Sequence, residues 1–481
     1  LQVFKGGAPE GFNFQSLEDL LRYGSTRTFR SILDGVEKVP PASILSVDPV
    51  NLDTPIQPRR YWSRHQITGG ARQPGLSDAS AVKEIDEALT SAVEMQMVAD
   101  VPVGAFLSGG IDSSLVVAKM VEAAVGPVRT FSIGFESPDF DEAPFARAIA
   151  EELGTTHTEH YVSDDELLAL VPTLPFVGGE PFADPSLLPT LIVCALAREH
   201  VTVALSGDGA DELFAGYNRY PLSMRLEGIP ALLRRGAGTA VGIVDRLAPR
   251  AGVEFRRRGA RSPGQHKWDL TSSKLRLLRQ SLVGVSREER YHGLLRAPSS
   301  LQAARGVVTT GAHASEIWSE MSQLDAMLLD DLQGYLVDDI LTKVDRAAMH
   351  VSLETRMPFL DHRVVEAAWS LPHQMLIRGG RRKWVLREIL KQYLPPSLTD
   401  RPKAGFGVPL AAWLRGPLRP WAEDLLAQQR LDEHGLLHSS AVRRLWLEHV
   451  QLGIDRSREL WPVLMLQGWM SGQHLQLRPN P

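Results

Sequence analysis

The stretch Val103-Gly-Ala-Phe-Leu-Ser-Gly-Gly-Ile-Asp-Ser-Ser114 decides the fold. Its first five residues are a short run of a kind that forms a strand buried on both faces. Ser108-Gly109-Gly110 breaks the run, and Leu115–Ala124 predicts a helix. A strand passing through glycines into a helix collects backbone N–H groups and the helix dipole at one point, where phosphate is bound. Gly109 and Gly110 let the backbone approach an anion closely. Ser108, Ser113 and Ser114 can donate further hydrogen bonds. Asp112 would repel phosphate unless a divalent cation stood between them, so the loop implies Mg²⁺. No GxxxxGK[ST] occurs in the chain, which excludes a Walker loop, and the pattern is not a dinucleotide fingerprint either.

Outward from this loop, strands alternate with helices. Ala79–Val98 has helical spacing at Val82, Ile85, Leu89 and Val93. Strands are expected at Val103–Leu107, Val128–Phe135, His157–Val162 and Val201–Leu205, and helices at Phe145–Leu153 and Leu187–Arg198. That order predicts an α/β fold, a parallel sheet with flanking helices. Beyond about Tyr220 the strand signals vanish, and residues 221–481 read as mainly helical, with the tryptophans filling that core. Arg250–Gln265 is a basic break, read as an exposed, solvated loop. At the other end Ser16–Tyr23 is a short amphipathic helix, followed by a turn at Val36–Pro41 and a strand at Ser43–Val47. Residues 1–62 hold too few apolar side chains to fold alone. Residues 63–80 form a polar linker, and 81–481 the main unit, with 81–220 its α/β part.

Composition narrows the function classes. The 481 residues carry 52 Lys+Arg against 57 Asp+Glu, a net charge of −5, so no global positive field points to nucleic acid. No run of 18 apolar residues suggests a membrane span. The single cysteine, Cys194, excludes an internal disulfide and any Cys-rich metal site, and falls in an apolar helix as a buried thiol. A cytoplasmic, reducing setting is expected. No signal peptide is seen, and the first residue is Leu1, which suggests a processed or truncated product. His157 and His160 fall on opposite faces of a strand and read as structural.

A second loop follows the strand at Val201–Leu205: Ser206-Gly-Asp-Gly-Ala-Asp-Glu-Leu-Phe-Ala-Gly-Tyr217. It lies where open α/β sheets place ligands. Asp208, Asp211 and Glu212 interleaved with glycine suit a Mg²⁺ site shared with the first loop. Two further clusters lie in the helical region. One contains Lys343, Asp345, Arg346, Glu354 and Arg356. The other is Arg401-Pro-Lys-Ala-Gly-Phe-Gly-Val-Pro-Leu410, where Lys403 sits on a loop able to close on a charged intermediate.

The first loop resembles the pyrophosphate loop of the ATP pyrophosphatases. All four clusters, with Glu180-Pro-Phe-Ala-Asp-Pro-Ser186 and their order, resemble the synthetase domain of the glutamine-dependent asparagine synthetases over residues 80–415. The resemblance implies ATP and Mg²⁺ as cofactors, with aspartate or another carboxylate and ammonia or glutamine as small-molecule substrates. Asp112 and Asp211 would hold the metal. Leu107 and Ile133 would meet adenine through their backbones, with Ser108–Ser114 on the phosphates and Ser206 and Gly207 beside the nucleotide. Asp208, Lys403 and Glu354 would be catalytic: Lys403 against the adenylate, Asp208 taking a proton from ammonia. Some members have Glu at the Asp208 position.

The family's N-terminal glutaminase, an Ntn-type domain with a Cys nucleophile at residue 1, is expected to be represented only by its last part, within Leu1–Trp62. A glutaminase domain or subunit is therefore an expected partner, and a homodimer is compatible. Two other readings stay open. β-Lactam synthetases and lasso-peptide cyclases resemble the family and use an internal amine, although β-lactam formers place Tyr where this chain has Asp208. A non-catalytic scaffold is the other.

Overall fold

The computed structural model describes residues 11–27, 29–50, 57–63, 67, 72–136, 141–247, 272–297, 316–400 and 407–472. The basic break 250–265 and Lys403 lie outside the described residues.

Helix α1 (Phe14–Tyr23) begins where Asn13 accepts the Ser16 N–H at 3.0 Å and ends at Gly24, whose φ is +89°. Its apolar face, Leu17, Leu20 and Leu21, is fully buried. Short strands β1 (Ser43–Ile44) and β2 (Arg59–Arg60) pair antiparallel beyond it. As its composition requires, this piece leans on the rest. Phe12 packs edge-on to Trp469 at 6.5 Å. Glu180 accepts hydrogen bonds from Thr26 Oγ1 (2.7 Å), Ser31 Oγ (3.0 Å) and the Ile32 N–H (2.9 Å), and pairs with Lys38 at 2.7 Å.

The main sheet has five parallel strands: β3 (Val103–Phe106), β4 (Arg129–Phe135), β5 (Thr156–Val162), β6 (Val203–Leu205) and β7 (Glu354–Arg356), in spatial order β5-β4-β3-β6-β7. Helices α2 (Asp78–Met97), α3 (Ile111–Ala123) and α4 (Ala143–Leu153) contribute to the core that receives Ala105, Leu107, Val203 and Leu205. Helices α5 (Leu187–Arg198) and α6 (Thr342–His350) contribute to the other core, with Phe131, Ile133, Phe135 and Ala204. Alternate residues of β6 thus enter two cores, and the central strands β3 and β6 are apolar throughout.

The expectation that strands end near Tyr220 needs correction. β7 comes from the helical region and extends the sheet beyond β6, with Arg356 opposite Leu205. Three residues, Glu-Thr-Arg, are too few and too polar to show a strand period. Their pairing is set by the free edge of β6, where Glu354 N–H donates to Thr202 O and Ser206 N–H to Arg356 O. The sheet therefore crosses the 81–220 boundary. The remainder is mainly helical, and Trp413, Trp446, Trp461 and Trp469 are buried in it. Among the described residues no helix is long and apolar enough to cross a membrane.

Candidate active site

β3 is followed in the chain by β4 on one side of it, whereas β6 lies on the other, so the connections diverge at the carboxyl ends of β3 and β6. Both glycine-bearing loops leave the sheet at this switch point. In the first, Gly109 has φ +71°, and Gly110, the N-cap of α3, has no side chain to cap the first turn. The serines brace the turn. Ser113 Oγ accepts from the Ser108 N–H at 3.2 Å, and Ser114 Oγ donates to Gly110 O at 2.6 Å.

The second loop lies directly on the first. A Cβ at Gly207 would stand 2.8 Å from Ser113 N and 2.9 Å from Asp112 Cβ. Gly209, at φ +92°, turns the chain into the short helix carrying Asp211. Ser206 Oγ donates to Asp208 Oδ2 at 2.6 Å. Glu212 is buried, and burial together with neighbouring Asp211 pushes its carboxyl up to about 7. It accepts a hydrogen bond from Tyr217 OH at 2.6 Å.

Asp112 and Asp211 converge, as their motifs imply, on a residue that sequence reasoning passed over. Lys383 Nζ lies 2.7 Å from Asp112 Oδ1 and 2.6 Å from Oδ2, and it also pairs with Asp211. A hairpin delivers it. β8 (Ile377–Arg378) and β9 (Arg381–Arg382) are joined by Gly379 and Gly380, both at positive φ, as a tight two-residue turn demands. Lys383 itself holds φ +56° before helix α7 (Trp384–Leu390). A non-glycine residue in that region is strained, and such strain gathers at functional sites. A Cβ at Gly216 would meet Asp211 Oδ1 at 1.8 Å and Lys383 Cε at 2.1 Å, so this position has no room for a side chain. The available signal was Gly-Gly followed by three basic residues before a helix.

Two carboxylates gathered around one cationic nitrogen form a hard-oxygen pair suited to a divalent cation. Among the described residues no group of three or more His, Cys, Asp or Glu is placed to hold a metal. Two protein carboxylates suit a Mg²⁺ that takes its remaining ligands from phosphate and water.

Lys343 turns inward, to Asp184 at 2.9 Å and Ser186 Oγ at 2.8 Å, whereas Asp345 and Arg346 are exposed. Burial alone would raise the Asp184 carboxyl, but the Lys343 charge and the Ser186 hydrogen bonds outweigh it and hold it at about 2. Leu107 and Ile133 are buried at the sheet, and Leu107 N–H is already donated to Phe131 O at 2.9 Å. Glu354 is not brought to this cluster. It opens β7 level with Val203, its side chain is 56% exposed, and it pairs with Arg356 at 2.6 Å. Strand register, which is invisible in the motif, puts it at the other end of the sheet edge from Ser206. Lys403 lies outside the described residues. Cys194 is buried, and burial with the nearby Asp208 charge pushes its thiol up to about 12. His157 bonds Thr130 Oγ1 at 2.9 Å and Ser132 Oγ at 3.1 Å, and His160 bonds Glu166, both structural contacts.

The fold defines an open α/β protein in which two glycine-bearing loops and their acidic groups meet at the switch point of the sheet. The family model "Asparagine synthase" matches residues 84–471, and the chain belongs to that family. It is similar to asparagine synthetase [glutamine-hydrolyzing] 1 of Bacillus subtilis (strain 168), 32% identical over 445 residues, 92% of this chain and 66% of that protein. A putative asparagine synthetase of Mycobacterium tuberculosis (strain H37Rv) is 36% identical over 410 residues, 82% of this chain and 58% of the relative. A protein called amidase chyE, of Penicillium rubens, is 22% identical over 470 residues, 89% of this chain and 67% of its own length. The chain thus spans 66% and 58% of the two asparagine synthetases.

Proposed function

We propose that this chain activates a carboxylate with ATP and passes the acyl group to nitrogen, in the manner of asparagine synthesis from aspartate. The observation that carries this reading is the convergence of Asp112, Asp211 and Lys383 beneath two abutting glycine loops. The first-turn N–H groups of α3 and the Lys383 ammonium take up phosphate charge. Asp112 and Asp211 would hold Mg²⁺, which when bound neutralises the phosphate oxygens. A carboxylate oxygen of the substrate attacks the α-phosphorus, and the α–β bridging bond breaks, releasing pyrophosphate with the electron pair. Ammonia then attacks the acyl carbon and AMP leaves. Asp208, held by Ser206, is the proposed acceptor of the ammonia proton. Lys403 is assigned to the adenylate by resemblance alone, and Glu354 is left out on the geometry above.

ATP–pyrophosphate exchange tests the reading, with aspartate as the first acid. Carboxylate-dependent exchange and release of AMP are expected, and both should be lost in Asp112→Asn and Asp211→Asn. Release of ADP and phosphate, or normal turnover by either variant at saturating Mg²⁺, refutes it. Exchange without any gain from ammonium would favour an internal amine, as in the lactam and peptide cyclases.

A further inference from the structure

Lys383 holds the oxygens that a cation bridging Asp112 and Asp211 would use. Its Nζ lies 2.7 Å from Asp112 Oδ1 and 2.6 Å from Oδ2, and it pairs with Asp211 at the same time. Mg²⁺ takes carboxylate oxygens at about 2.0–2.1 Å, well inside these distances. An ammonium and a divalent ion cannot share one gap between two carboxylates, because like charges at contact distance repel strongly. Entry of the metal therefore requires the ammonium to leave.

The lysine is held in this place by its surroundings. Its side chain is 6% exposed. Next to it Arg382 donates to Gly216 O, and Arg387 Nε donates to Arg382 O at 3.0 Å, which ties the hairpin to the second loop and to α7. Gly216 leaves the space that Lys383 Cε fills. Arg382 adds a second positive charge that interacts with both Asp211 and Asp112. Asp208 and Glu212, the other acids of the second loop, are bonded to Ser206 and Tyr217. Two carboxylates thus face two cations, and among the described residues no group of three or more His, Cys, Asp or Glu is placed to hold a metal. A bare divalent ion gains little from such a cluster. A polyphosphate changes the balance. It brings several anionic oxygens, gives the ammonium another partner and supplies the ligands that two carboxylates leave unfilled on Mg²⁺.

We propose that Lys383 bars a free divalent cation from Asp112 and Asp211 and gives way only when the phosphates of a nucleotide arrive, so that metal and nucleotide enter together. This order rests on the adenylation reading for the identity of the nucleotide. It goes beyond that reading in naming the residue that enforces the order. Lys383 is here a positioning residue. It weakens the site for metal alone and strengthens the coupling between metal and nucleotide.

The test is equilibrium dialysis of the full chain against Mn²⁺, an oxygen-binding stand-in for Mg²⁺, with and without α,β-methylene-ATP, which resists cleavage between the α and β phosphorus atoms. The parent chain is expected to retain Mn²⁺ only when the nucleotide is present. Lys383→Met should retain Mn²⁺ without nucleotide, roughly tenfold more tightly than the parent, the effect of about one charged contact. Adding Asp211→Asn to Lys383→Met should abolish that retention. Free Mn²⁺ held by the parent and lost in Asp211→Asn overturns the proposal. This arm needs no change at Lys383 and decides the matter if Lys383→Met fails to fold. Free Mn²⁺ bound no better by Lys383→Met than by the parent, or retained after Asp211→Asn is added, also overturns it. AMP release from ATP with aspartate, measured in parallel, separates the two readings. AMP release by a parent that already holds free Mn²⁺ removes only this inference. Exclusion of free Mn²⁺ by Lys383, with nucleotide-dependent retention but no AMP, removes only the adenylation reading.

Discussion

Gly207→Ala is the sharpest probe of the contact between the loops. The added methyl would meet Ser113 N at 2.8 Å, Asp112 Cβ at 2.9 Å and the Asp112 carbonyl carbon at 3.0 Å. None of these is the flexible end of a side chain. Ordinary contact begins at 3.4 Å, so the loops must part by about 0.6 Å. Overpacking of this kind costs about 1–3 kcal/mol. Part of it should appear as stability, lowering the unfolding midpoint on the order of 1 °C per kcal/mol for a chain of this length. The rest should appear in catalysis, because parting the loops moves Asp112 away from Asp211. A misplacement of ~1 Å can cost ~100-fold in rate, so a loss of roughly tenfold in ATP–pyrophosphate exchange is expected. Gly236→Ala is the control. Gly236 is exposed within the helix Ala231–Leu247, a Cβ there meets nothing within 4 Å, and alanine should stabilise that helix slightly. Parent-level exchange and an unchanged midpoint in Gly207→Ala would show that the loops are not pressed together as described.

Three other outcomes are expected. Lys383→Met removes the ammonium paired with Asp112 and Asp211, so the chain should lose about 3 kcal/mol without Mg²⁺ and regain more from added Mg²⁺ than the parent does; equal Mg²⁺ responses in thermal melts would contradict the shared site. The Asp184 carboxyl is held at about 2 from an ordinary 3.8, so its contribution of about 2 kcal/mol is present above pH ~4 and is lost as the pH falls toward 2; urea titrations should show Asp184→Asn less stable at neutral pH and without that part of the acid slope. Cys194, with its thiol pushed up to about 12 by burial, should resist iodoacetamide at pH 8 in the folded chain and react once urea unfolds it; prompt alkylation of the native protein would contradict its placement.

Local pattern alone was enough to find the two loops, the alternation that builds the sheet, and the carboxylates that face each other. Each loop is a contiguous run whose glycines, serines and acids act through neighbours a few residues away, so its chemistry is written in its spacing. The helix Leu187–Arg198 and the buried Cys194 follow from apolar patterning in the same way. What required the tertiary structure were pairings between segments far apart in the chain. Lys383 meets Asp112 across 271 positions, and no local period marks that approach. β7 exists because β6 offers an unpaired edge, and its register carries Glu354 away from the cluster to which the family resemblance had assigned it. Short-range order is set by dihedral preference and side-chain period. Long-range convergence is set by the packing of two cores against one sheet, and that packing decides which charges meet.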